Sequence, residues 1–103
     1  MSEESFDLPQ RELETSQEVR EPKMYRVLLH NDDYTTMDFV VEVLISVFRK
    51  SAAEATRIML DVHKKGVGTC GVYTYDMASS RAAMVHQLAK KQEFPLKCTI
   101  EEA

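Results

Sequence analysis

The stretch Tyr25-Arg26-Val27-Leu28-Leu29-His30-Asn31-Asp32-Asp33-Tyr34-Thr35-Thr36-Met37 decides the fold of this 103-residue chain. Its first five residues read as a strand, ended by the turn formers Asn31, Asp32 and Asp33. Thr35 with Asp38 three residues later predicts a capping box. Beyond it Phe39, Val40, Val43, Leu44, Val47 and Phe48 fall on one face at helical spacing, which marks a core-facing helix.

Ser51-Ala52-Ala53-Glu54 predicts a second capping box. It opens a helix whose apolar positions Ala55, Ile58, Met59 and Val62 run toward the basic terminus Lys64-Lys65-Gly66. Val67 to Tyr73 is rich in β-formers but contains Gly68 and Gly71, as expected of a strand that bends or is closely approached. Asp76 to Gln92 reads as a third helix with Ala78, Ala82, Val85 and Leu88–Ala89 as its buried stripe. After Phe94-Pro95, Leu96, Cys98 and Ile100 alternate with Lys97, Thr99 and Glu101 as a half-buried strand. The expected fold class is therefore α+β, a small sandwich of a three-stranded antiparallel sheet and three helices in the order βααβαβ.

Residues 1–22 hold seven acidic and two basic side chains and few sizeable apolar groups. That composition offers too little burial to offset ordering, so a flexible acidic N-terminal extension is expected, with a reach of about 70 Å if fully extended. Residues 23–103 form the expected domain and are nearly neutral, with ten acidic and eleven basic side chains. A neutral domain without a basic stripe argues against nucleic acid as the main partner. No apolar run approaches a membrane span and the N-terminus is acidic, so a soluble, cytoplasmic protein is expected, acting as a monomer. Cys70 and Cys98 lie far apart and match no zinc spacing, which favours buried reduced thiols.

Asn31, Asp32 and Asp33 have an ordinary explanation as turn residues. Met59 and His63 add a second observation. They lie four apart on one side of the second helix, and a helical hairpin would return them toward Asn31 to Thr35. A histidine near a helix C-terminus is in itself a favourable dipole partner. Yet a neutral imidazole, an amide carbonyl and a carboxylate can together satisfy the three donors of an ammonium group, such as the free amino terminus of a peptide. Leu29, Met37, Val40, Met59, Val62 and Leu96 are core residues that can also line an apolar pocket beside them. His30, Asp32, Asp33 and His63 are permissible zinc or manganese ligands, but strand alternation turns His30 away from Leu29 and no His or Cys pair fixes a geometry. Neither metal nor other cofactor is expected. There is no nucleophile elbow, no glycine-rich phosphate loop and no evident Ser–His or Cys–His pair, so an enzyme is not expected. His86 is expected to face solvent.

The chain resembles the ClpS adaptors of the bacterial N-end rule pathway across roughly residues 22–103. The blocks that carry the resemblance are Met24–Val27, Asn31–Thr35, Met37–Val40, Met59–His63, Cys70–Val72 and Pro95–Glu101. The resemblance implies an adaptor that holds the first residue of a degradation substrate, an N-degron beginning with Leu, Phe, Tyr or Trp. It passes the substrate to a ClpA-type AAA+ unfoldase coupled to ClpP and cuts nothing itself. It further implies that Asn31, Asp33 and His63 hold the α-amino group, with Asp32 adding polarity nearby. Leu29, Thr35, Met37, Val40, Met59, Val62 and Leu96 would surround the first side chain, with Met37 excluding β-branched residues.

The family's unfoldase-docking Glu and Lys are matched by Asp76 and Arg81, which keep the charges but change the lengths. Ser79 replaces a further acidic position and Thr36 a proline before the gate methionine. The acidic extension fits the family's N-terminal arm. Two alternatives stand beside this one: a structural or ribosome-associated interaction module in which the Asn-Asp-Asp turn is architectural, and a small metal-dependent hydrolase.

Overall fold

The computed structural model describes residues 21–103, so the extension expected over residues 1–22 lies outside the described residues except for its last two. The chain forms β1 (Tyr25–His30), α1 (Met37–Ser46), α2 (Ala52–Lys65), β2 (Val67–Tyr73), α3 (Tyr75–Gln92) and β3 (Lys97–Glu102), the expected βααβαβ order. All three strands pair antiparallel in the spatial order β2-β1-β3. The most apolar strand is thereby central: Val27 and Leu29 are wholly buried on one sheet face, while Arg26, Leu28 and His30 are half-buried on the other.

All six apolar positions picked out from Phe39 to Phe48 are buried, and Phe39 meets Phe94 with ring centroids 5.0 Å apart. A fully buried aliphatic or aromatic side chain stabilises a fold by about 1.5–3 kcal/mol, so this face anchors the hairpin to the sheet. The α2 face is thinner, with Ala55 and Val62 buried and Ile58 and Met59 only partly so. Ala78, Ala82, Val85 and Ala89 of α3 are buried, and the small alanines let that helix lie close to the strands.

The helix ends follow local chemistry. Ser51 Oγ accepts the Glu54 N–H at 3.1 Å, and Gly66 closes α2 in the left-handed region at φ 89°. At α1 the cap is displaced from the expected position. Thr36, not Thr35, is the N-cap, and its hydroxyl oxygen accepts the Phe39 N–H at 3.1 Å. The Thr35 hydroxyl donates to Asp32 instead, so the next hydroxyl in the chain takes the capping role. Thr36 sits at φ −74°, within the range a proline ring imposes, and its side chain supplies the capping oxygen that a proline would lack.

β2 carries a bulge. Val27 pairs with Gly71 and Leu28 with Thr69, which leaves Cys70 as the extra residue. Both expectations for this strand therefore meet in one element, because Gly68 is also closely approached by α2. A Cβ at Gly68 would stand 2.7 Å from Val62 Cγ2 and 3.1 Å from the Ile58 carbonyl oxygen. Cys70 and Cys98 are free and buried, and burial pushes the Cys98 thiol up to about 12 and Cys70 higher still, so neither is a ready thiolate. His86 is exposed, as expected, and in addition its Nε2 accepts the Cys98 N–H at 3.3 Å and so occupies an outward backbone donor of the edge strand β3.

Because the Ile58 carbonyl is backbone and has little room to yield, Gly68→Ala is expected to destabilise the domain by about 1–3 kcal/mol. Thermal unfolding followed by circular dichroism checks this; an unchanged midpoint would show that α2 and β2 are less tightly apposed.

Candidate functional site

Six residues connect β1 to α1, and their conformation is set by Asp32. Its Oδ1 accepts the backbone N–H groups of Tyr34 at 2.8 Å and Thr35 at 2.7 Å, and its Oδ2 accepts the Thr35 hydroxyl at 2.7 Å. This is the Asx turn that the residue type favours. Partial burial raises the Asp32 pKa, but the Thr35 hydroxyl and the two backbone donors outweigh it and hold the carboxyl below its ordinary value of 3.8. The stabilisation is thus present above pH 3.8 and is lost as pH falls through the lower folded-state value.

The loop is joined to α2 by its first backbone group. Asn31 N–H donates to the Gly66 carbonyl at 2.9 Å, just beyond the last turn of α2 that carries His63. The hairpin return expected from sequence is therefore made. Asn31, Asp32, Asp33, Tyr34, Thr35, Thr36 and Met37 line one side of a cleft of about 480 Å³, and Val40, Met59, Val62 and His63 complete it. Asn31, Asp33 and His63 are exposed and supply an amide, a carboxylate and an imidazole. Val62 is buried, Met59 is half-buried, and Met37 stands 47% exposed at the opening of α1. The cleft thus combines hydrogen-bond acceptors with an apolar wall, a combination suited to a cation attached to a hydrophobic group.

Leu29 and Leu96 do not line this cleft. They are 0% and 4% exposed and belong to the core, because strand alternation turns Leu29 into the helix-covered face and Leu96 packs at the entry to β3. Tyr34 and Thr36 are lining residues that the sequence reasoning missed. Tyr34 is 77% exposed, and its place inside the polar run was the available signal. His30 turns elsewhere: its Nε2 shares a 2.7 Å hydrogen bond with Thr99 Oγ1. Among the described residues no three His, Cys, Asp or Glu side chains gather as a metal-ligand set.

At the far end of the hairpin, Asp76 is exposed in the first turn of α3. Arg81 is not displayed as expected. It is half-buried and donates from Nη1 to the Val47 carbonyl at 3.2 Å, while its Nε is buried without a partner. A cation against the last carbonyls of α1 complements that helix dipole, which is the physical reason it folds inward. The same guanidinium lowers the Tyr73 pKa, though burial is the larger effect and raises it overall.

Fold and cleft together define a small α+β binding domain. The family model described as ATP-dependent Clp protease adaptor protein ClpS matches residues 20–99. The ClpS adapter protein of Syntrophus aciditrophicus is 61% identical over 90 residues, covering 87% of this chain and 84% of the relative. That of Nitratidesulfovibrio vulgaris strain Miyazaki F is 63% identical over 91 residues, covering 88% and 91%. Among solved structures, Agrobacterium tumefaciens ClpS2 bound to L-phenylalaninamide superposes with a TM-score of 0.77 at 40% identity, covering 80% of this chain and 99% of that one. This chain belongs to the ClpS family of Clp protease adaptors. Its relatives are named as adaptors of a protease, not as enzymes.

If Asp32 serves to shape the loop, Asp32→Asn, which replaces one acceptor oxygen with a donor, should weaken ligand binding about threefold to tenfold through loss of roughly one hydrogen bond. The same change should leave the melting transition cooperative. A titration showing undiminished affinity would remove this loop-shaping role.

Proposed function

We propose that this adaptor binds the free amino terminus and bulky hydrophobic first residue of substrate proteins, Leu, Phe, Tyr or Trp. It then delivers them in the cytoplasm to a ClpA-type AAA+ unfoldase working with ClpP. The observation that carries this is the single cleft in which Asn31, Asp33 and His63 stand beside Met37, Val40, Met59 and Val62. Asn31, Asp33 and His63 accept the three N–H donors of the ammonium group. Asp32, with its acceptor positions engaged by the loop, contributes its negative charge from close by. Thr35 and the apolar group receive the side chain, and Met37 restricts entry.

The ligand of the Agrobacterium relative supports this reading. Phenylalaninamide has a free α-amino group, a benzyl side chain and an amide in place of a carboxylate, so it stands in for the first residue of a peptide. Each charge-assisted bond contributes about 1.5–3 kcal/mol, and burial of a Leu or Phe side chain a similar amount. After the costs of association, a total near −8 kcal/mol corresponds to a dissociation constant of about 1 μM. For the unfoldase, exposed Asp76 is the docking contact we favour, and Arg81 acts indirectly by fixing α1 against α3.

The test is fluorescence anisotropy of a labelled peptide beginning with Phe, beside its N-acetylated twin and versions beginning with Leu and Ile. Micromolar binding of the free Phe and Leu peptides is expected, lost on acetylation and weak for Ile. Equal binding of free and blocked ends would overturn the amino-terminal site and favour a general interaction module. His63→Ala and Asp33→Ala should each weaken the Phe peptide about tenfold to a hundredfold without unfolding the domain. In a separate series, Met37→Ala is expected to admit peptides beginning with Ile or Val; retained exclusion would take the gating role away from Met37.

A further inference from the structure

Leu and Ile are isomers, so burying either side chain stabilises a complex by about the same amount, and an apolar cleft separates them only by where its atoms are fixed. A methionine is a poor gate unless its backbone is held, because an unbranched thioether rotates to fit either shape. Met37 stands at the weakest place for this task, the first position of α1, where a helix leaves backbone N–H groups without intrahelical partners and tends to fray. Here that turn is closed. Thr36 Oγ1 accepts the Phe39 N–H at 3.1 Å, across Met37 and Asp38, and the Thr36 carbonyl accepts the Val40 N–H at 3.2 Å. Both partners are anchored from the inside: Phe39 and Val40 are buried, and the Phe39 ring packs on Phe94. The neighbouring hydroxyl is engaged elsewhere, since Thr35 Oγ1 donates to Asp32 Oδ2 at 2.7 Å. Thr36 itself lines the cleft.

We propose that Thr36 is the positioning residue of the Met37 gate. Its capping bond closes the chain around Met37, so that the methionine side chain projects into the cleft from a fixed backbone; releasing the bond lets Met37 recede and admits β-branched first residues. The inference rests on the amino-terminal reading of the cleft and on Met37 as its gate. An ordinary helix cap would contribute stability and nothing else. The molecule supplies its own comparison, because Ser51 caps α2 with a bond of the same length, 3.1 Å to the Glu54 N–H, and is not among the residues that line the cleft. Loss of either cap should lower stability, but only loss of the Thr36 cap should change which first residues are accepted.

The experiment compares two free-amine peptides that differ only in beginning with Leu or Ile. Their affinities are measured for the full chain and for Thr36→Val, Thr36→Ser, Ser51→Ala, Met37→Ala and the double variant T36V/M37A, beside thermal unfolding of each. Thr36→Val removes the capping oxygen and is expected to narrow the Leu-to-Ile affinity ratio about threefold to tenfold, the factor set by one cap. The narrowing should come from tighter binding of the Ile peptide, a gain that loss of stability does not produce. Thr36→Ser, which keeps an acceptor, should retain the ratio, and Ser51→Ala should lower the melting midpoint yet leave the ratio unchanged. On the Met37→Ala background Thr36→Val should relax the ratio no further, because both changes act through one side chain. Thr36→Gly is the second variant if valine disturbs the fold, since glycine at an N-cap lacks the oxygen at little cost in stability. An unmoved ratio in Thr36→Val and Thr36→Gly, a narrowing made only of weaker Leu binding, an equal narrowing in Ser51→Ala, or a further relaxation in T36V/M37A would overturn the role of Thr36. The N-acetylated Leu peptide separates this inference from the reading beneath it. Binding lost on acetylation with an unmoved ratio overturns the Thr36 role alone, whereas indifference to acetylation overturns the amino-terminal cleft.

Discussion

A single backbone hydrogen bond, from Asn31 N–H to the Gly66 carbonyl at 2.9 Å, closes the helical hairpin onto the end of the central strand. It is made at the position where β1 leaves the sheet and β2 is about to enter it, next to the His30–Val67 pair. Gly66 can present its carbonyl there because it occupies the left-handed region, at φ 89°, without the steric penalty a side chain would bring. One turn earlier in α2 stands His63. The antiparallel pairing of β1 with β2 and the mixed character of the cleft thus depend on the same junction.

Within that junction three adjacent polar residues have divided tasks. Asn31 contributes its backbone N–H to the hairpin closure and leaves its side chain at the cleft. Asp32 turns both carboxylate oxygens onto the loop, and the Thr35 hydroxyl it receives shifts the helix cap to Thr36. Asp33 has no such obligation among the described residues and remains exposed, which leaves its charge available to a ligand. A rigid loop matters because every acceptor that is already oriented spares the complex the entropy of ordering it.

α1 also links the two ends of the domain. Its N-terminal turn carries Met37 at the cleft, and the carbonyl of its C-cap Val47 is held by Arg81 of α3. The helix between them is packed on its inner face by residues that are nearly all buried. A contact made on α3 therefore meets the same rigid element that borders the cleft. The Arg81 position shows how a charge that looks like a surface contact in the chain can be recruited to a helix terminus once the helices are packed.

Much of the architecture was determined by the sequence alone. The 3.6-residue periodicity from Phe39 to Phe48 and the alternation from Leu96 to Ile100 are local patterns that depend only on burying one face, and both correspond to the observed burial. Gly66 as the end of α2, Ser51 as its cap and the βααβαβ order follow from equally local chemistry. The nearness of His63 to the Asn31–Thr35 loop was legible too, because a hairpin has few ways to return. Tertiary structure alone decided which of Thr35 and Thr36 caps α1, that Leu29 and Leu96 belong to the core and not the cleft, and that Arg81 and His86 turn toward backbone groups. Each of these depends on competition among partners distant in sequence or among several local acceptors, and residue type specifies what a side chain can bond, while packing specifies which partner it meets.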